Sequence, residues 1–276
     1  MYPFTFQVGT LNCFSISDGQ HTYPARAFFA NAPAGELTAA LNRHGLAAEM
    51  VTPFNCLLVN TGAQRLLIDT GIGRRGGPGA DKLRQSLTAA GFAPGDVNIV
   101  VLTHAHADHI GGALNAGGQP AFPNARYLLT RAEWDFWTAE RPGVNNARRK
   151  QAQTALRALE NRLYLIESDG EIAPGMRALP APGHTPGNIA VEIVSAGSRL
   201  VYIPDVFAHP IHLEQPGWNI MGEDDPLLAI NTRRRLLEML ADTETPVLGY
   251  HMPPPGLGRV IRQGQAWAWQ TVLPTM

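Results

Sequence analysis

Seven side chains able to ligate metal ions stand at the ends of apolar runs or in tight loops of this chain. The first four lie in the string His104-Ala105-His106-Ala107-Asp108-His109, directly after the apolar run 97–102. The others are His184, Asp205 and His251. His104 and His106 are two residues apart, so on an extended backbone both imidazoles point one way and can hold one ion. Asp108 and His109 follow at once and can be aimed at a second. Gly111 and Gly112 suit a tight loop entering a helix. His184 sits between Pro182-Gly183 and Pro186-Gly187, pairs that stiffen the loop delivering it. Asp205 has two carboxylate oxygens and can bridge two cations. Seven N/O donors exceed the four of one tetrahedral ion and suit two ions with open positions.

Two cations about 3.5–4 Å apart can hold a water between them and lower its pKa from 15.7 towards about 7. The hydroxide so formed can attack a carbonyl or phosphorus centre. One ion then polarises the attacked oxygen and the other stabilises the leaving oxygen. Asp108 and Asp205 are the candidate catalytic carboxylates, Asp108 as a proton shuttle as well as a ligand. No Gly-x-Ser-x-Gly nucleophile elbow occurs. The His-rich set makes zinc the first choice, and mixed N/O ligands also accept manganese, iron or cobalt. Burying so many ionisable groups without a cation would be costly, which argues against a merely structural cluster.

The elements that must position these groups read from periodicity and turn residues. Short strands over 1–19 end at a turn, 17–19, and a mixed aromatic and polar loop follows over 21–29. A helix over 36–46 stops near Gly45. Strands 55–59 and 65–69 flank a turn at Thr61-Gly62, and a Gly-rich loop, 71–79, leads to a helix around Leu83 and Leu87. Strand 97–102 feeds the ligand string. Then come strand 127–129, helices 131–137 and 146–159, strands 162–166 and 176–179, and a hairpin over 188–203. A long helix, 225–240, precedes a last strand, 246–250. Segments 55–69 and 188–205 echo each other as hairpins whose second strand ends at an aspartate, which fits two similar halves. No Ser/Gly-rich linker divides the 276 residues, so 1–276 reads as a single domain.

Composition bounds the function. Hydrophobic residues make up 45% and charged ones 16%, enough apolar material for a large core. The net charge of −1 leaves no nucleic-acid footprint. The basic runs 148–150 and 233–235 read as solvated helix faces. Cys13 and Cys56 have no CxxC spacing, which excludes a thiolate zinc site, and Cys56 reads as a buried inert thiol. No run approaches the ~18 apolar residues of a membrane span, so no membrane partner is expected. No leader pattern is visible at the N-terminus, and a cytoplasmic location is expected.

The ordered set of His-x-His-x-Asp-His, a single His, a single Asp and a final His resembles the metallo-β-lactamase superfamily. The likeness covers nearly the whole chain, including the strand end Leu67-Ile68-Asp69-Thr70-Gly71. It implies an α+β fold, an αββα sandwich of two mixed sheets with helices outside. It also implies that one ion takes His104, His106 and His184, the other takes Asp108, His109 and His251, and Asp205 bridges. Asp69 resembles the family's residue that orients a ligand histidine. The strings 122–125, 132–137 and 249–259 resemble the subgroup containing methyl parathion hydrolase and certain N-acyl-homoserine lactone lactonases, which also implies a homodimer. Asn188 stands where the subgroup often has His, and Ala208 where the well-known lactonases have Tyr.

That likeness implies a dinuclear hydrolase acting on a small-molecule lactone or carboxylic (aryl) ester, with side activity on phosphotriesters. The open alternatives are a glyoxalase II-like thioesterase, a β-lactamase-like amide hydrolase, and a non-catalytic metal-stabilised binding protein. A bridging Asp205 is unusual for a β-lactamase, and no separate basic helical segment for glutathione is visible. His21, Tyr23, Phe28 and Phe29, with His209 and His212, are the candidate substrate pocket. For the four in the aromatic loop, packing on the rim is the competing role. For His209 and His212 it is a place in a surface loop. Tyr250 reads as core, and Trp134 and Trp137, at helical spacing, as core or a dimer contact.

Overall fold

The computed structural model of the chain describes residues 3–76, 81–140 and 147–272. Fourteen strands among these form two seven-stranded sheets, each in sequential order. The first holds β1 (Phe4–Val8), β2 (Leu11–Pro24), β3 (Glu49–Asn60), β4 (Arg65–Ile68), β5 (Ile99–Val101), β6 (Arg126–Thr130) and β7 (Leu163–Ile166). It is antiparallel from β1 to β4 and parallel from β4 to β7. The second holds β8 (Glu171–Ala173), β9 (Met176–Pro180), β10 (Ile189–Ser195), β11 (Ser198–Ile203), β12 (Pro246–Gly249), β13 (Leu257–Gln263) and β14 (Ala266–Thr271). Only β11 and β12 pair in parallel there. The two hairpins that echo each other in sequence are β3–β4 and β10–β11, and each is extended by one parallel strand, β5 or β12.

Parallel neighbours need crossovers, and helices supply them. These are α2 (Leu83–Ala89), α3 (Ala107–Ile110), α4 (Arg131–Thr138) with α5 (Ala147–Leu159), and α6 (Ile211–Glu214) with α7 (Pro226–Asp242). The remaining helix, α1 (Ala34–Arg43), precedes β3. Apolar residues of both sheets, among them Leu57, Leu67, Val100, Val191, Tyr202 and Leu248, form one buried core. A second cluster lies under α7, joining Leu236, Leu237 and Leu240 to Val201, Val247 and Val260. The mixed sheets and outer helices expected from the sequence are present. Helix α7 starts where the sequence signals it: Asp225 caps it by accepting from Leu228 N at 3.0 Å, and Pro226 takes the first turn.

Several local expectations are corrected. Residues 17–19 are no turn but a bulge inside β2, where register shifts between Ser17 and Gln20. The Asp18 carboxylate turns inward there and accepts from Gly73 N and Leu83 N, both at 2.9 Å. His21 and Tyr23 therefore lie on a strand, not in a loop. The strand at 246–250 is not the last, because β13 and β14 complete the sheet edge. The closely spaced prolines and glycines between 253 and 258 hide that continuation in the sequence. The two basic runs are not wholly solvated. Arg149 is buried, and Arg233 is 0% exposed. Asn146, Gly77 and Gly79, which entered the helix and loop readings, lie outside the described residues. Among the described residues, no helix is long and apolar enough to cross a membrane.

Candidate metal centre

Every one of the seven candidate ligands follows the C-terminal end of a strand or sits in a loop between two strands. His104 and His106 follow β5, α3 carries Asp108 and His109, His184 lies between β9 and β10, Asp205 follows β11, and His251 follows β12. This is where open α/β sheets gather functional groups. The fold brings the seven together as two groups: His104, His106, His184 and Asp205 in one, Asp108, His109 and His251 in the other. All are buried except Asp108, whose side chain is 20% exposed.

In the first group three imidazole nitrogens converge. His106 Nδ1 is 3.2 Å from His104 Nε2 and 2.8 Å from His184 Nε2. Burial and the neighbouring imidazoles push His104 and His106 well below the ordinary histidine pKa, so both rings are held neutral. Closely spaced imidazole nitrogens of this kind are the common ligands of a cation.

The second group is carboxylate-rich. Asp69 Oδ2 is 2.8 Å from His109 Nδ1, and the Pro53 carbonyl is 3.0 Å from His251 Nδ1. Each acceptor fixes the proton on Nδ1 and leaves Nε2 for the centre. Burial opposes charge on His109, yet Asp205, Asp69 and Asp108 raise its pKa well above the ordinary value. His251 is likewise raised to about 9, burial opposing and Asp205 and Asp108 prevailing.

Asp205 faces both groups. Its Oδ2 is 3.1 Å from His184 Nε2, while its Oδ1 is 3.0 Å from His109 Nε2 and 3.2 Å from His251 Nε2. His109 Nε2 and Asp205 Oδ1 are buried yet make no hydrogen bond of good geometry. Close together, buried and unsatisfied, these atoms fit joint ligation of a divalent cation.

The supporting residues were mostly invisible in sequence. Thr103 donates through its backbone N–H (2.9 Å) and its hydroxyl (3.0 Å) to Asp69 Oδ1, and the Tyr202 hydroxyl donates to Asp69 Oδ2 at 3.1 Å. Tyr250, expected as core, is buried. Its ring lies 4.1 Å from that of His109, and its hydroxyl donates to the Asp108 carbonyl. Trp137 is buried beside His106, at 5.6 Å between rings. Gly183 needs its bareness: a Cβ there would lie 2.3 Å from Ala229 N, at the start of α7. The sequence signal for these residues is weak, since a buried tyrosine or threonine looks the same wherever it packs.

The expected pocket residues separate into two sets. Tyr23 is half-buried, edge-on to Phe28 at 5.6 Å and to His21 at 4.7 Å, and Phe28 is edge-on to His251 at 6.0 Å. Phe28 thus adjoins the centre, Tyr23 stands next to Phe28, and His21 stands next to Tyr23. Phe29 and His212 are fully buried against each other, ring centres 4.8 Å apart, in a cluster with Ala208, Ile211 and Trp218. His212 uses both ring nitrogens, on Ala208 N and the Phe28 carbonyl, so it is no surface-loop residue. His209 is half-buried, 5.3 Å from His44 between ring centres. The amide nitrogen of Asn188 donates to the Ala181 carbonyl at 2.9 Å, which closes the loop carrying His184.

Fold and ligand order together define a class: the chain belongs to the metallo-β-lactamase superfamily, whose family model matches residues 51–257. Metallo-beta-lactamase domain-containing protein 1 of Homo sapiens is 33% identical over 207 residues, covering 72% of this chain and 60% of that protein. N-acyl homoserine lactonase AiiA of Bacillus thuringiensis subsp. kurstaki is 26% identical over 170 residues, covering 61% of this chain and 60% of that protein. The chain thus spans less than two thirds of the length of these curated relatives. Among solved structures, AidC, a dizinc quorum-quenching lactonase in complex with a product, superimposes with a TM-score of 0.93. It is 28% identical, with 99% of this chain and 98% of that chain covered. The hydrolase AbOPH gives a TM-score of 0.90 at 23% identity over 99% and 98% of the two chains, a likeness of fold.

Proposed function

We propose that this chain is a dinuclear metal-dependent hydrolase that opens a lactone or cleaves a carboxylic or aryl ester, with side activity on phosphotriesters. The observation that carries the reading is the two-faced placement of Asp205, one oxygen towards His184 and the other towards His109 and His251. Two divalent ions, zinc first, would be held by His104, His106 and His184 on one side and by Asp108, His109 and His251 on the other. Bound there, they supply Lewis acidity and an acidified water. Likeness to AidC, a lactonase by description, favours a lactone as the first substrate to try.

The chain's own residues have separable tasks. Buried histidines and Asp205 keep bulk water from the centre. Asp108, the most exposed of the seven, is the group able to pass a proton between the leaving oxygen and solvent. Half-buried Tyr23, backed by buried Phe28 that packs edge-on to His251, offers aromatic surface on which an apolar part of a substrate can rest.

Zinc-loaded protein is expected to turn over an N-acyl homoserine lactone fastest in a panel with an aryl ester, an aryl phosphotriester, a thioester and a chromogenic cephalosporin. A chelator should abolish that activity and added zinc restore it. No metal-dependent turnover of lactone, ester or triester would overturn the reading. Asp205→Asn should lose metal and activity together; a binding protein without catalysis would tolerate the change.

A further inference from the structure

Glu133 lies in the first turn of α4 and has no solvent exposure. Four donors converge on its carboxylate. Oε1 accepts from Ala105 N at 2.9 Å and from Trp137 Nε1 at 2.5 Å. Oε2 accepts from Thr185 Oγ1 at 2.7 Å and from Gly187 N at 3.1 Å. Ala105 stands between His104 and His106, and Thr185 follows His184. One carboxylate therefore ties together two loops, distant in sequence, that deliver the three histidines of one half of the centre.

The tie is close-fitting. A Cβ at Gly187 would lie 2.2 Å from Glu133 N and 2.5 Å from both Glu133 Cβ and Thr130 Oγ1. Thr130, which caps the same helix, accepts from Glu133 N at 3.2 Å and donates to the Gly187 carbonyl at 2.7 Å. The Trp137 indole, held by Glu133, packs on the His106 ring. Every partner of the Glu133 side chain is an N–H or O–H donor, so only the ionised carboxylate accepts from all of them. Burial raises its pKa, and the four donors oppose that shift. Asp69, Asp108 and Asp205 surround the other half, whereas the three-histidine half has Asp205 alone among its ligands.

Resting on the two-ion reading above, we propose that Glu133 is a positioning residue that sets the spacing between His106 and His184 and so governs ion retention in the three-histidine half. It reaches no substrate. Without its carboxylate the two loops are no longer held to each other, and three imidazoles lose the arrangement that makes them one site. Replacing a group that orients ligands typically weakens metal binding about 10–100-fold.

The test is a Zn2+ titration against a chromogenic chelator, using the full chain as wild type, Glu133→Gln and Thr185→Val. Wild type is expected to bind two equivalents. Glu133→Gln keeps one of these at wild-type affinity and binds the other about 10–100-fold more weakly. Thr185→Val removes one donor of four and weakens the same equivalent by a smaller factor. Wild type binding fewer than two equivalents would overturn the two-ion reading itself. Two equivalents in wild type with unchanged affinities in Glu133→Gln would overturn the role of Glu133 alone. That result, with only a lower unfolding midpoint of the metal-free protein, would leave Glu133 a packing residue. Should Glu133→Gln not fold, Thr185→Val decides by the same criterion.

Discussion

Oδ2 of Asp69 and Nδ1 of His109 meet at 2.8 Å, with neither side chain exposed to solvent. Asp69 directly follows β4 with φ at 59°, a conformation uncommon for a residue other than glycine. The backbone turn there aims the carboxylate across to α3, and Thr103 and Tyr202 hold it in that direction. Strain of this kind tends to persist where the surroundings over-determine it.

Replacing Asp69 tests that relationship. Asp69→Asn keeps the shape and removes the charge that fixes the His109 tautomer. Metal affinity of the half containing His109 should fall about 10–100-fold. Competition with a chelator measures it, and an unchanged affinity would show that His109 is oriented by packing alone.

Arg233 gives a stability prediction. Its guanidinium is fully buried and donates to the carbonyls of Val206 (2.5 Å), Pro216 (2.9 Å) and Trp218 (2.7 Å) and to Glu223 Oε1 (3.0 Å). It thereby fixes the segment after Asp205 onto α7. Arg233→Leu leaves Glu223 buried and unpaired, a change that costs about 3–5 kcal/mol. Urea unfolding should show that loss, and removing Glu223 as well should recover part of it.

The pH dependence of stability has a sign set by His212. Burial, then Arg233 and His209, hold its pKa well below the ordinary value. The unfolded imidazole takes up a proton near pH 6.5 and the folded one does not. Between those two pKa values the unfolded state binds more protons, so this contribution is complete above about pH 6.5 and is lost as pH falls. Unfolding midpoints followed from pH 8 down to 5 should drop less steeply in His212→Gln than in wild type. Parallel slopes would contradict the assignment.

The two thiols should be silent in the native protein. Cys13 and Cys56 are both buried and free. Burial pushes Cys13 up to about 12 and Cys56 well above the ordinary thiol value, so at neutral pH neither forms the reactive thiolate. A thiol reagent at pH 8 should label neither cysteine before unfolding and both in guanidinium.

Much of the centre was legible because its information is local. A histidine after a short apolar strand advertises itself by residue type and position, and β5 with His104 is the plainest case. Buried parallel strands such as Ile99–Val101 show as unbroken apolar runs. Legibility failed where local pattern and tertiary place disagree. Arg233 sits in a basic helical run that resembles any solvated face, yet it points into the core. The bulge at Asp18 carries turn residues but continues the strand. The strands after Pro253 are masked by prolines and glycines that suggest a loop.

The sequence alone determined that seven candidate N/O ligands stand in a fixed order near strand ends, because ligand chemistry belongs to the side chain and strand ends to short-range periodicity. Tertiary structure alone decided which oxygen of Asp205 faces which histidines, that Asp69 stands behind His109, and that Glu133 joins the loops of His106 and His184. Those are contacts between segments far apart in the chain. Periodicity describes the face a residue presents, whereas packing across two sheets decides what that face meets.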